Sequence, residues 1–171
     1  MALLEKHLFV KKSTIPNAGK GLFTKIFIPK GTRIVEYKGR RTIWKEVKDN
    51  HENAYLYTIN NNNVIDAGKT LSALARYAND AKGITRVKGI NNNCIYVNDN
   101  NRAYIESVKD IQPGSEIFVD YTKEYWDVMR VNIREREKDA ALAAKKKSET
   151  RSTKKTSTKK TSTKKKAAGK K

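Results

Sequence analysis

Asn17-Ala-Gly-Lys-Gly-Leu-Phe23 sets two glycines, Gly19 and Gly21, around one lysine, Lys20. Without a Cβ, such a backbone can come close to a bound ligand, so the loop is suited to gripping. It is not a dinucleotide fingerprint, because a third glycine and a following helix are missing. Nor is it a phosphate loop, because no Lys-Ser or Lys-Thr follows the second glycine. Three further segments put polar and aromatic groups close to turns: Glu36-Tyr37-Lys38-Gly39, Ala75-Arg76-Tyr77-Ala78-Asn79-Asp80, and Ile105 to Tyr121, which closes on Glu116-Ile-Phe-Val-Asp120-Tyr121. Cysteine and metal chemistry is poorly supplied. The single cysteine, Cys94, allows neither an intrachain disulfide nor a cysteine-based zinc cluster, so no metal is expected. Of the two histidines, His7 and His51, the second lies in an asparagine-rich stretch and reads as exposed. Asp66 and Asp120 read as turn or capping residues. Taken singly, a strand tyrosine is a packing residue, Asn79 is a cap and the glycine loop is a turn; only their joint order carries a signal.

The elements that must position these residues are short. Leu8–Val10, Gly21–Ile28 and Thr32–Tyr37 read as strands, the last two separated by a turn at Pro29-Lys-Gly31. Ala54–Ile59 alternates as a half-buried strand and turns at Asn60–Asn63 into Val64–Asp66. Thr70–Tyr77 reads as a short helix. Asn93–Val97, Arg102–Val108 and Ser115–Val119 read as three more strands, with Gln112-Pro-Gly114 turning the chain before the last. Lys123–Ala144 is rich in strong helix formers and carries a narrow apolar stripe, Trp126, Met129 and Ile133. The fold class is therefore mainly β with short helices, organised as a domain over 1–122, a C-terminal helix over 123–144 and a basic tail over 145–171.

The four segments, in this order, resemble the SET-domain family of protein-lysine methyltransferases from about Leu8 to Tyr121. The resemblance implies several small sheets, a knot-like crossing that departs from the usual unknotted rule, and S-adenosylmethionine as cofactor. Gly19, Lys20, Gly21 and Leu22 resemble the segment whose backbone grips the methionine part of that cofactor. Arg76, Tyr77, Asn79 and Asp80 resemble the motif whose asparagine contacts it, with Asp80 standing where the family has histidine. Tyr37 and Tyr55 resemble residues beside the active site and the lysine channel. Tyr121 resembles the closing, catalytic tyrosine, and Trp126 the aromatic placed against the adenine. Val119 stands where an aromatic is common. The cysteine-rich post-domain is absent, so the C-terminal helix must close the site. The implied reaction is an in-line methyl transfer from a sulfonium to a neutral amine. A free lysine has a pKa near ~10.4, so burial in an apolar, aromatic channel beside a positive charge must deprotonate it.

Charge separates the tail from the rest. Residues 145–171 hold 13 Lys or Arg against one acid, Glu149, and so carry +12 of the net +19. The segment repeats Ser152-Thr-Lys-Lys-Thr156, Ser157-Thr-Lys-Lys-Thr161 and Ser162-Thr-Lys-Lys-Lys166, and its apolar residues are Ala167 and Ala168. Composition of this kind predicts disorder and binding to DNA or another nucleic acid. The repeats also resemble the basic, small-residue setting of histone tails. The expected substrate is therefore a lysine of a histone-like or other basic DNA-associated protein, with the tail's own Lys154, Lys155, Lys159 and Lys160 as candidates. The rival expectations are a SET-like DNA-binding chromosomal protein without catalysis, and a polyanion scaffold with no cofactor. No apolar run approaches the ~20 residues of a membrane span, and the N-terminus is too charged for a signal peptide. An intracellular address follows: nucleoid or cytoplasm in a bacterium, nucleus in a eukaryote.

Overall fold

A computed structural model of the chain describes residues 3–50, 53–83 and 85–164, with the backbone only over 145–164. His51 lies outside the described residues, and so does the tail beyond Lys164. The chain divides into two units, Met1–Val128 and Met129–Lys171.

Among the described residues the first unit has nine strands in three antiparallel three-stranded sheets. In the first sheet β2 (Lys20–Thr24) lies between β1 (Leu8–Lys12) and β9 (Glu116–Ile117). The chain turns from β1 into β2 through Asn17 and Gly19, both at positive φ (65° and 70°), which glycine and asparagine tolerate best. In the second sheet β8 (Arg102–Ser107) is flanked by β3 (Arg33–Glu36) and β7 (Cys94–Asp99). In the third, β6 (Asn63–Asp66) is flanked by β4 (Arg40–Thr42) and β5 (Leu56–Asn60). One core joins them, with Leu22, Ile28, Ile34, Ile65, Ile105 and Ile117 fully removed from solvent. Removing that apolar surface from water is the main favourable contribution to the fold.

Three expected elements differ from what forms. The strand read over Gly21–Ile28 stops at Thr24, whose hydroxyl donates to the Ile26 carbonyl and accepts from the Ile26 amide. That local loop competes with the ladder; Ile28 then pairs alone with Ile111. The helix read over Thr70–Tyr77 is a single 3₁₀ turn, Leu74–Tyr77, because Ala73 is already extended and the chain must be extended again at Ala78. The strand read over Ser115–Val119 is two residues long in β9, because Phe118 and Val119 leave β2 for other partners. Three elements were not legible: a 3₁₀ turn at Glu5–His7, β4, whose Arg-Arg-Thr sequence has no apolar alternation, and α1 (Trp44–Val47), a single turn that follows it. Pairing with the buried strand β6 creates β4, not its own composition.

The departure of Phe118 and Val119 makes the crossing that the resemblance implies. Asn79 forms a parallel bridge with Phe118, and Cys94 forms one with Val119. Segment 116–121 thus runs between the stretch after the 3₁₀ turn and the start of β7. Asn93 fixes it from one side: its Nδ2 donates to the Glu116 carbonyl (2.9 Å) and its Oδ1 accepts from the Phe118 amide (2.8 Å). From the other side the Val119 amide donates to the Asn79 carbonyl (2.9 Å).

Helix α2 spans Lys123–Lys164, with its first turns in the first unit. In the second unit the backbone is helical through Lys164, into the segment whose composition predicts disorder. The sequence from 145 onward has no apolar face, so the helix there has only its own backbone bonds and propensities to hold it. No helix among the described residues is long and apolar enough to cross a membrane.

Candidate active site at the crossing

At the crossing a buried carboxylate organises the backbone. Glu116 is 4% exposed. Its Oε1 accepts from the Ser13 hydroxyl (2.7 Å) and Asn79 Nδ2 (3.2 Å), and its Oε2 accepts from the Thr14 amide (2.7 Å) and hydroxyl (2.6 Å). Asn79 Nδ2 also donates to the Lys20 carbonyl (3.0 Å). The glycine loop, the asparagine and the closing segment are therefore one hydrogen-bonded unit. Gly21 has to be glycine: a Cβ there would fall on the Glu116 carboxylate. Gly19 faces open space, with nothing within 4 Å of where its Cβ would stand. Leu22 is wholly buried in the core under the loop, and so anchors it from below.

An aromatic series leads away from this unit. Tyr57, Tyr37 and Tyr96 pack with ring centroids 4.8–5.9 Å apart, Tyr96 stacks on Tyr121 at 6.3 Å, and Tyr121 meets Tyr125 at 4.5 Å and Trp126 at 5.8 Å. The Tyr121 hydroxyl donates to the Ala78 carbonyl (2.7 Å). Loss of water inside this cluster raises the pKa of Tyr121 and Tyr96 well above 10, with the neighbouring tyrosines acting in the same direction. Burial likewise raises Tyr37 and pushes Tyr125 up to about 12. All four hydroxyls are thus neutral donors at physiological pH. Cys94, buried beneath them, is pushed up to about 12 by desolvation and is a packing residue.

Tyr55 is placed differently from Tyr37 and Tyr121. It is 38% exposed, and its ring lies over the Arg76 guanidinium, 3.9 Å from Cζ. Its carbonyl accepts from the Tyr37 hydroxyl (3.2 Å), so it adjoins the series without stacking in it. Arg76 is buried, donates to the Gly68 carbonyl and the Tyr77 hydroxyl, and leaves Nε without a partner. Tyr77 in turn donates to the Leu71 carbonyl. Asp80 accepts four hydrogen bonds, among them those of the Tyr121 amide and the Trp126 indole N–H. Trp126 rests against Gly83, where a Cβ would come within 2.6 Å of the indole.

Sequence reasoning missed Tyr57, Tyr96 and Tyr125 in the aromatic series and Asn92 and Asn93 at the crossing. Alternation gave a signal for two of them: Tyr96 stands two residues after the buried Cys94, and Tyr57 two before the half-buried Ile59. The asparagine run read as a loop and gave none.

A family model, "SET domain", matches residues 19–122, more than half of the chain. The chain belongs to the SET-domain family. Among solved structures it is similar to the methyltransferase domain of human PR domain-containing protein 2, with a TM-score of 0.50 and 24% identity over 68% of this chain and 77% of that one. It is also similar to a chain of an active polycomb repressive complex 2 in the basal state, with a TM-score of 0.54 and 26% identity over 68% of this chain. This chain spans 15% of the length of that second one.

SET-domain methyltransferases use S-adenosylmethionine, and the residues at the crossing suit such a group. Gly19 leaves the loop backbone approachable, Asn79 brings a carboxamide to the loop, Lys20 is an exposed cation, and Trp126 with Tyr121 offers flat aromatic surface for a purine. Among the described residues no group of three His, Cys, Asp or Glu could hold a metal ion.

Proposed function

We propose that the chain is a protein-lysine methyltransferase that takes its methyl group from S-adenosylmethionine and acts on a histone-like or other basic, DNA-associated protein. The observation that carries this reading is the aromatic series that passes through Tyr121, at the crossing where Asn79 and the glycine loop are bonded together. When bound, the cofactor supplies an electrophilic methyl group on a sulfonium. Lys20, Asn79 and the Gly19–Gly21 backbone would hold its amino-acid end, and Trp126 its purine. The tyrosines do the chain's own part. Their faces give an apolar wall for a lysine stem, and burial there favours the neutral amine. With their pKa values raised they stay protonated and can orient that amine by hydrogen bonds. Alignment of two bound groups can contribute roughly 7–11 kcal/mol at best.

The tail fits this reading as a cationic tether that keeps the enzyme near DNA and DNA-bound substrates. The test is incubation of the full chain with labelled cofactor and a panel of histones, ribosomal proteins and the chain itself. Lysine-linked label is expected on a basic protein. Tyr121→Phe should lower turnover at least about 100-fold with cofactor affinity nearly kept. No cofactor binding by calorimetry, or full turnover in that variant at matched folding, would overturn the reading.

A further inference from the structure

The Asp80 carboxylate is 5% exposed, and donors from four places in the chain converge on it. Oδ2 accepts from the Tyr121 amide (3.0 Å) and from Trp126 Nε1 (2.7 Å). Oδ1 accepts from the Lys82 amide (2.7 Å) and from Asn92 Nδ2 (2.9 Å). An ionised carboxylate has about four acceptor places, and all are used. No cation is paired with it among the described residues; Lys82, two residues on, spends its ammonium on Asp120. A buried carboxylate held by neutral donors alone is costly unless every bond is made. Asn92 is itself anchored, since its Oδ1 accepts from the Ala81 amide (2.8 Å). The carboxylate is thus a fixed point, from which Trp126 and Tyr121 are held by one oxygen.

We propose that Asp80 is a positioning residue that sets the first turn of α2 and the reacting tyrosine in a single arrangement, so that closure over the cofactor and alignment of Tyr121 are one event. This rests on the reading of the site as a cofactor-dependent methyltransferase. Asp80 does not touch the reacting atoms; it acts through Trp126 and Tyr121. The family's usual residue at this position is histidine, which offers at most one acceptor nitrogen. It cannot satisfy four donors here, so this chain has a different fastening for the same wall.

The experiment uses the full chain in a Trp44→Phe background, which leaves Trp126 as the single tryptophan, with Asp80→Asn, Asp80→His, Trp126→Phe and the double variant Asp80→Asn with Trp126→Phe. In the ligand-free protein, Asp80→Asn should shift Trp126 emission to the red and speed amide exchange in the first turn of α2, with the melting curve of the strands retained. Cofactor affinity should fall about 10- to 100-fold in both Asp80 variants, the range for losing hydrogen bonds to a charged group. In the double variant the loss should be smaller than the product of the two single losses, because both substitutions break the Asp80–Trp126 bond, although Trp126→Phe also trims the surface offered to the purine. Turnover should fall further in Asp80→Asn than in Trp126→Phe, because one amide oxygen cannot serve both the Tyr121–Trp126 donors and the Lys82–Asn92 donors, whereas Trp126→Phe removes a single bond. Unchanged emission and exchange in Asp80→Asn would overturn the proposal, as would wild-type affinity in Asp80→His or multiplying losses in the double variant. A wild-type chain that binds no cofactor would instead remove the methyltransferase reading, while emission and exchange would still decide whether Asp80 holds the helix.

Discussion

Gly21 shows how a single atom governs the site. The place of its missing Cβ is filled by the Glu116 carboxylate, which in turn holds Ser13, Thr14 and Asn79. Gly21→Ala should cost about 1–3 kcal/mol, the range for overpacking a tight site. Cofactor affinity should drop with it, whereas Gly31→Ala, at a positive-φ turn away from the crossing, should affect stability only. Thermal melting and calorimetry on both variants check this. The tyrosines set the pH behaviour. Burial raises Tyr37, Tyr96, Tyr121 and Tyr125, so these hydroxyls keep their protons while turnover rises from pH 7 towards 10 as the substrate amine loses its own. For stability the sign is the reverse. The folded protein holds the Tyr125 proton to about 12 and the unfolded chain only to about 10, so the contribution is complete below pH 10 and is lost as pH climbs through 12. Phenolate absorbance followed together with unfolding over that interval should show the two rising in step.

The elements were legible where sequence periodicity and burial agree, as in β3, β7 and β8, and illegible where tertiary partners decide. Thr24 ends β2 by a local hydroxyl loop that no alternation reveals. Phe118 and Val119 read as the middle of one strand but bridge two different partners. Glu116 and Asn79 share a hydrogen bond and Tyr121 is bonded to Ala78 and Asp80 on either side of Asn79, while Tyr57, Tyr96 and Tyr125 escaped because a tyrosine packed on other rings and one facing solvent look alike in a sequence. The asparagine run was the costliest omission. Asn93 satisfies the Glu116 carbonyl and the Phe118 amide much as a neighbouring strand would. Asn93→Ala leaves both without that partner and should destabilise the first unit by about 1–3 kcal/mol. Asn93→Asp keeps the acceptor for Phe118 but sets a carboxylate oxygen against the Glu116 carbonyl and should lose at least as much; denaturant titration of the two checks this.

At the scale of the whole molecule, most of the charge lies outside the body that carries the site. Deleting 145–171 removes 13 cations and one acid. Duplex DNA affinity should fall steeply, and the dependence of log affinity on log salt should flatten by about 0.9 for each phosphate that is no longer neutralised. Cofactor affinity should not move, because the residues of the candidate site end at Trp126. Fluorescence anisotropy across a salt series and calorimetry on the same truncated protein check both halves. The crossing has a further consequence, for the order of assembly. β1 with β2, and β7 with β8, join neighbours in sequence and can form early. Segment 116–121 is completed only when β2, Asn79 and Asn93 are all in place, and its carboxylate reaches back 103 residues to Ser13. Contacts of such span close large loops before they are rewarded, and they form late. In a refolding time course the strand signal should therefore recover before cofactor binding does. A half-refolded chain would carry the charge of the tail without the assembled candidate site, and a ligand that binds only the assembled site would draw the last step forward by mass action.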